Sequence, residues 1–177
     1  MSISEHTCYE RIIWKANKRK LFQKNCIEFA DLEEEKKMYI KKYIPNNSTP
    51  VLVFWGSYKE WTILCIDILI SYYDKKSYHI NLSIAKRDFA PCIDREYVPQ
   101  KIFSFEDLQK LIVQNGKPLD KTIEQGKMPY KLKTISKWLY SKNTKEYIWM
   151  PGNFEVYALW GVLIMINNLD KCKSEKE

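Results

Sequence analysis

Apolar positions recur at helical spacing near the start of the chain, where Tyr9, Ile12, Ile13 and Ala16 share one side of a predicted helix. Thr7-Cys8-Tyr9-Glu10 has the S/T-x-x-E form of a capping box, in which side chains satisfy the free amides of a helix start. A second helix is predicted to open at Asp31, with Glu34 three residues on, and to run through LEEEKKMYIKKY. Its acidic start and basic end complement the helix dipole. IPNNSTP stops it, and VLVFW follows as a short, continuously apolar strand.

The stretch from Tyr58 to Asp74 supports two arrangements. Wound as a helix, it gathers Glu60, Asp67, Ser71 and Asp74 on one narrow polar stripe and leaves the rest largely apolar. Ser57-Tyr58-Lys59-Glu60 supplies a second capping box at its start. Its content of Ile, Thr and Tyr instead suits an antiparallel hairpin. The pattern favours the helix, and with it a βαβ unit over Val51–Ile84. SYHINLSI then alternates, with Tyr78, Ile80, Leu82 and Ile84 on one face and His79, Asn81 and Ser83 on the other, as in a half-wetted strand.

Beyond it lies a charged loop, AKRDFAPCIDREYVPQK. A helix is predicted from Ser104 to Asn115-Gly116, with Phe103 placed to staple onto Leu108. Another starts near Pro129 and covers YKLKTISKWLYSK, with Leu132, Ile135, Trp138 and Leu139 as its apolar side. KEYIWM reads as a strand and Pro151-Gly152 as a turn. Asn153 can cap a final helix, FEVYALWGVLIMI, which is apolar nearly all round and therefore central. The sum is an α+β fold: a single domain, 1–177, with four to six helices on a small mixed sheet of about three to four strands. Residues 1–50 form a helical segment packed on a 51–169 core, and 170–177 a disordered tail.

Composition narrows the class. Hydrophobic residues make up 45% of the 177 and charged residues 29%, which suits a globular chain able to bury a core. Aromatics reach 14%; they fill cores but also dominate binding surfaces. The net charge of +7 is concentrated between Lys117 and Lys145, where eight lysines face only Asp120 and Glu124. Such a surplus draws anionic partners. The five cysteines are odd in number and widely spaced, with no zinc spacing, which predicts reduced thiols in a cytoplasmic protein. No secretory leader is evident, and the longest apolar run is too short and interrupted to cross a bilayer.

Candidate chemistry is sparse. His6 lies near a terminus and His79 on the polar face of a strand, and neither has an evident partner for general base work. Glu34-Glu35-Lys36-Lys37 holds an E-x-K spelling on a helix start, which reads as a solvated face. In the 86–97 loop Asp88, Asp94 and Glu96 alternate with Arg87 and Arg95, a pattern of ion pairing that could also serve an acid/base pair. Gly56-Ser57 before Trp61 resembles the opening of the nucleoside deoxyribosyltransferase-like fold, where a Gly-Ser turn begins the first helix. That resemblance implies the nucleophile's place for Glu155. The chain departs from the pattern at Asn81-Leu82, where Asn-Pro is expected, and no family membership is drawn.

The function expected from these features is a non-enzymatic intracellular protein-binding protein, most concretely a toxin-neutralising protein of the immunity type. Its expected partner is another protein with an acidic face, with no metal, no cofactor and no membrane contact. The candidate partner-binding residues are Lys131, Lys133, Lys137, Trp138, Tyr140, Arg87, Asp88, Asp94 and Arg95. One alternative is a basic nucleic-acid-binding module using the lysine and aromatic region 117–149. Another is a small enzyme using the carboxylates of the 86–97 loop or Glu155.

Overall fold

The computed structural model describes residues 4–83, 89–92 and 138–174. Helix α1, Glu5–Lys18, starts one turn earlier than the Thr7 box suggests. Ser4 is its cap, accepting from the Thr7 amide, while the Ser4 and Thr7 hydroxyls lie 2.8 Å apart. Thr7 therefore supports the cap from inside the first turn. A 3-10 turn, Leu21–Gln23, leads into β1, Cys26–Glu28. A second 3-10 turn, Phe29–Asp31, precedes α2, Glu34–Lys41.

The next four strands form a meander: β2, Pro50–Ser57, β3, Glu60–Cys65, β4, Ile68–Tyr73, and β5, Lys76–Asn81. With β1 at one edge they make a five-stranded antiparallel sheet in the order β1-β2-β3-β4-β5. A second antiparallel sheet takes β6, Phe89–Cys92, β7, Trp138–Ser141, and β8, Glu146–Trp149, in that order. The chain ends in α3, Asn153–Ser174. Two antiparallel sheets of five and three strands, with three α-helices among the described residues, replace the expected single mixed sheet of about three to four strands carrying four to six helices.

The predicted helix over 58–74 is a hairpin, so no βαβ unit forms and no helix follows Gly56-Ser57. The polar stripe had another origin. Asp74, with Lys75, forms the β4–β5 turn, both at positive φ, and Asp67 belongs to the β3–β4 turn. Polar residues seven apart satisfy two helical turns, but also one strand plus one turn. The capping-box letters are reused as well: Ser57 and Glu60 are cross-strand neighbours, and the Ser57 hydroxyl accepts from the Lys59 amide inside the turn. Trp138–Ser141, expected as the end of a helix, is β7. The rest of that helix and the one at 104–116 lie outside the described residues.

The five-stranded sheet is covered on both faces. On one side Val53, Trp61, Ile63, Cys65 and Ile70 pack under α2 with Ile40 and Leu32. Trp61 and Tyr72, opposite each other in register, stack with centroids 5.5 Å apart. On the other side Leu52, Phe54, Leu64, Leu69 and Ile80 meet Ile12 and Ala16 of α1, Val156, Leu159 and Val162 of α3, and Leu139 and Ile148 of the small sheet. Burial on both faces removes the alternation that identifies a strand.

The small sheet meets the large one through the edge of β8. Thr62 and Ser71 are both fully buried, and their hydroxyls lie 2.8 Å apart. Ser71 Oγ accepts from the Trp149 amide at 3.0 Å, and the Thr62 hydroxyl donates to the Trp149 carbonyl at 2.5 Å. Thr62 has spent its proton on that carbonyl, so Ser71 must donate to Thr62, and the three bonds close a ring. Tyr73 adds a fourth, donating to the Tyr147 carbonyl at 2.9 Å. Buried edge groups that no strand pairs are satisfied by side chains from the face beneath. The Trp149 ring closes over Gly56, where a Cβ would stand 2.5 Å from Cη2.

Thr62→Val, similar in shape, should lower stability by about 1–3 kcal/mol by leaving the Trp149 carbonyl and the Ser71 hydroxyl unmet. The check is a lower denaturation midpoint at unchanged slope; an unchanged midpoint would count against the ring. Gly56→Ala should displace the Trp149 indole and alter the near-ultraviolet circular dichroism, at a cost of about 1–3 kcal/mol.

Candidate functional site

The residues singled out in the sequence do not assemble into one place among the described residues. Trp138 is half-buried between the sheets, edge-on to Tyr73 with centroids 5.0 Å apart. Tyr140 is buried and packs on Tyr147 at 4.8 Å. Trp138 thus belongs to the joint between the sheets, and Tyr140 packs within the small sheet against its register partner. Lys131, Lys133, Lys137, Arg87, Asp88, Asp94, Arg95 and Glu96 lie outside the described residues. His79 is exposed on the edge strand β5, and His6 sits 3.3 Å from Glu10 on the exposed surface of α1. On α2, Glu33 pairs with Lys36 and Glu34 with Lys37, each at 2.8 Å. The Lys37 ammonium holds the Glu34 carboxyl below the usual carboxylate range.

Glu155, in the first turn of α3, is 3% exposed. Its Oε1 accepts from the Asn25 side-chain amide at 2.9 Å and from the Asn25 backbone amide at 3.3 Å. The carboxylate thereby ties the start of α3 to the residue before β1, a structural use of a group that the sequence offered as a nucleophile. Burial, then the Glu155 carboxylate, push the Cys26 thiol up, and burial, then Asp67, push Cys65 up to about 12. A thiol held protonated is a poor nucleophile. Among the described residues, no group of three or more His, Cys, Asp and Glu side chains could hold a metal ion. No helix among them is long and apolar enough to cross a membrane.

One surface has the character of a binding site, and the sequence reading missed it. Ile12 and Ala16 are buried, which fixes the roll of α1. At spacings of three, four and seven residues, Arg11, Trp14, Lys15 and Lys18 then fall on one stripe of the helix. Trp14 is 57% exposed, and the Lys18 ammonium lies 4.9 Å from its ring centroid. Lys20, at φ 57, turns the chain, buried Leu21 anchors it, and Lys24 is exposed beyond the turn. From Arg11 to Lys24 there are six cations and no acid. Burial, then the charges of Arg19 and Lys18, pull the Lys15 pKa down. Arg19 differs from the others in its position: its guanidinium lies against Gly161 of α3, 3.1 Å from where a Cβ would be. The signal was present in the sequence as an acid-free run at helical spacing, hidden by the acids at 28–35 when charge is counted over a longer window.

No protein-family model, curated protein sequence or solved structure matches this chain.

At about pH 8, iodoacetamide should modify Cys26 and Cys65 in the folded protein far more slowly than in urea, because both thiolates are disfavoured by burial. Peptide mass spectrometry over time reads the two sites separately. Equal rates in the folded and unfolded states would contradict the placement of these thiols.

Proposed function

We propose that the chain is a non-enzymatic binding protein that works by forming a complex with another protein, and that toxin neutralisation of the immunity type is the most concrete form of that activity. The observation that supports it is the set of large side chains open to solvent. Trp14, Met38, at 69% exposure, and Tyr58 are of the kinds enriched at protein contacts. They lie on the α1 surface, on α2 and in the β2–β3 turn. Around Tyr58 the aromatics are already ordered: its hydroxyl donates to Glu35 at 2.7 Å, and its ring stands edge-on to Tyr39 and Trp55, each at 5.1 Å. Pre-ordered aromatic side chains lose little rotamer freedom on binding, which favours contact energy over ordering cost.

The test is expression beside the toxic product of a neighbouring gene. The chain should restore growth and elute with that product as a stoichiometric complex. Growth arrest that persists, with the two proteins eluting apart, would contradict the neutralising role.

A further inference from the structure

The cationic stripe of α1 is unlike a surface that serves solubility alone, where both signs of charge are interspersed. Among the described residues none of Arg11, Lys15, Lys18, Lys20 and Lys24 takes part in an ion pair, whereas α2 satisfies Lys36 and Lys37 within one turn. Crowding like charges costs free energy, and that cost is offset when a partner supplies the opposite charge. The last turn of α1 tolerates Lys15 and Lys18 because the helix dipole is negative there. From Arg11 to Lys18 the stripe is about 10 Å long, the length of a short acidic segment. Trp14 stands within it as a large apolar contact.

We propose that Arg11, Trp14, Lys15 and Lys18, extended by Lys20 and Lys24, form the docking surface for an acidic protein partner, which contacts it through clustered Asp and Glu side chains. This rests on reading the chain as a protein-binding protein, and adds the place and the chemistry of the contact. Two features favour carboxylates over a nucleic-acid backbone. Trp14 is the one aromatic among Arg11, Trp14, Lys15 and Lys18, with the Lys18 ammonium over it, whereas a single strand of nucleic acid is held by successive rings on which its bases stack. Of the six cations from Arg11 to Lys24 four are lysines, whereas arginine is the residue whose forked geometry suits phosphate. An anionic membrane is a weaker match, because the apolar face of α1 is spent on the core through Ile12 and Ala16 and cannot enter a bilayer.

The experiment titrates the full chain with fluorescent poly-L-glutamate, oligo(dT) and phosphatidylserine-containing vesicles at low and moderate salt. Polyglutamate should bind, and bind less tightly as salt rises. Lys15→Glu with Lys18→Glu should weaken it by about tenfold or more, and Trp14→Ala by a smaller factor. Melting curves confirm that the variants fold; if the double variant melts early, Lys24→Glu, beyond α1, must show the same direction of change. Polyglutamate binding that ignores these substitutions would overturn the proposal. So would oligo(dT) or vesicles binding through the stripe while polyglutamate does not. A partner complex that survives the double reversal would remove this surface but leave the protein-binding reading intact. Absence of any complex with the unaltered chain would remove that reading, whatever polyglutamate does.

Discussion

The structure depends on how the edge of β8 is received. An unpaired strand edge placed against a buried sheet face would leave amides and carbonyls without partners, at a cost that the apolar contacts around it could not ignore. Here the receiving face carries two small hydroxyls and a tyrosine at the necessary places. Thr62, Ser71 and Tyr73 meet the outward backbone groups of Tyr147 and Trp149. The large sheet thus places buried hydroxyls where the second sheet crosses it, while Leu52, Phe54, Leu64, Leu69 and Ile80 on the same face pack in the apolar core.

From that joint the rest of the architecture is set in sequence. β8 leads through Met150, Pro151 and Gly152 into α3, so fixing Trp149 fixes where α3 begins. Glu155 then ties the α3 start to Asn25, and the Arg19 guanidinium lies on α3 at Gly161. Tyr9 donates to Glu28 at 2.5 Å, linking α1 to β1. The Tyr9 and Arg19 links, with Ile12 and Ala16 in the core, hold the roll of α1 and so determine which residues face outward. The stripe of exposed Arg11, Trp14 and Lys18 with half-buried Lys15 is the outward consequence of an inward set of constraints.

What could be read from the sequence follows the same physics. β2, β5 and β8 were legible because they are short runs bounded by turn residues, and β5 also alternates because one face is wet. The final helix was legible because its apolar residues continue too long for a strand. The hairpin at 60–73 was visible as the alternative that its Ile, Thr and Tyr content suited, but not in its pattern, because both faces are buried and the turns on either side of β4 use Ile66-Asp67 and Asp74-Lys75 without the glycine that marks a tight turn. Trp138 and Tyr140 were linked to neighbouring lysines as if on a helix, whereas in β7 Trp138 meets Tyr73 of the large sheet and Tyr140 packs on Tyr147 within the small one. The hydroxyl ring could not be read at all. It needs two residues nine apart to meet the backbone of a residue 78 positions further on, and no local pattern encodes that. The stripe on α1 was legible in principle, but only after the buried side of that helix is known.

Native-state hydrogen exchange at the Trp149 amide, followed by NMR, tests the joint most directly. That amide points away from β7 and has Ser71 Oγ as its partner. If the ring holds the two sheets together, the amide exchanges as slowly as those of Ile63 and Ile70 in the interior of the large sheet. Exchange as fast as at a solvent-facing strand edge would mean that β8 is not received there, and the placement of α3 and α1 would lose its foundation.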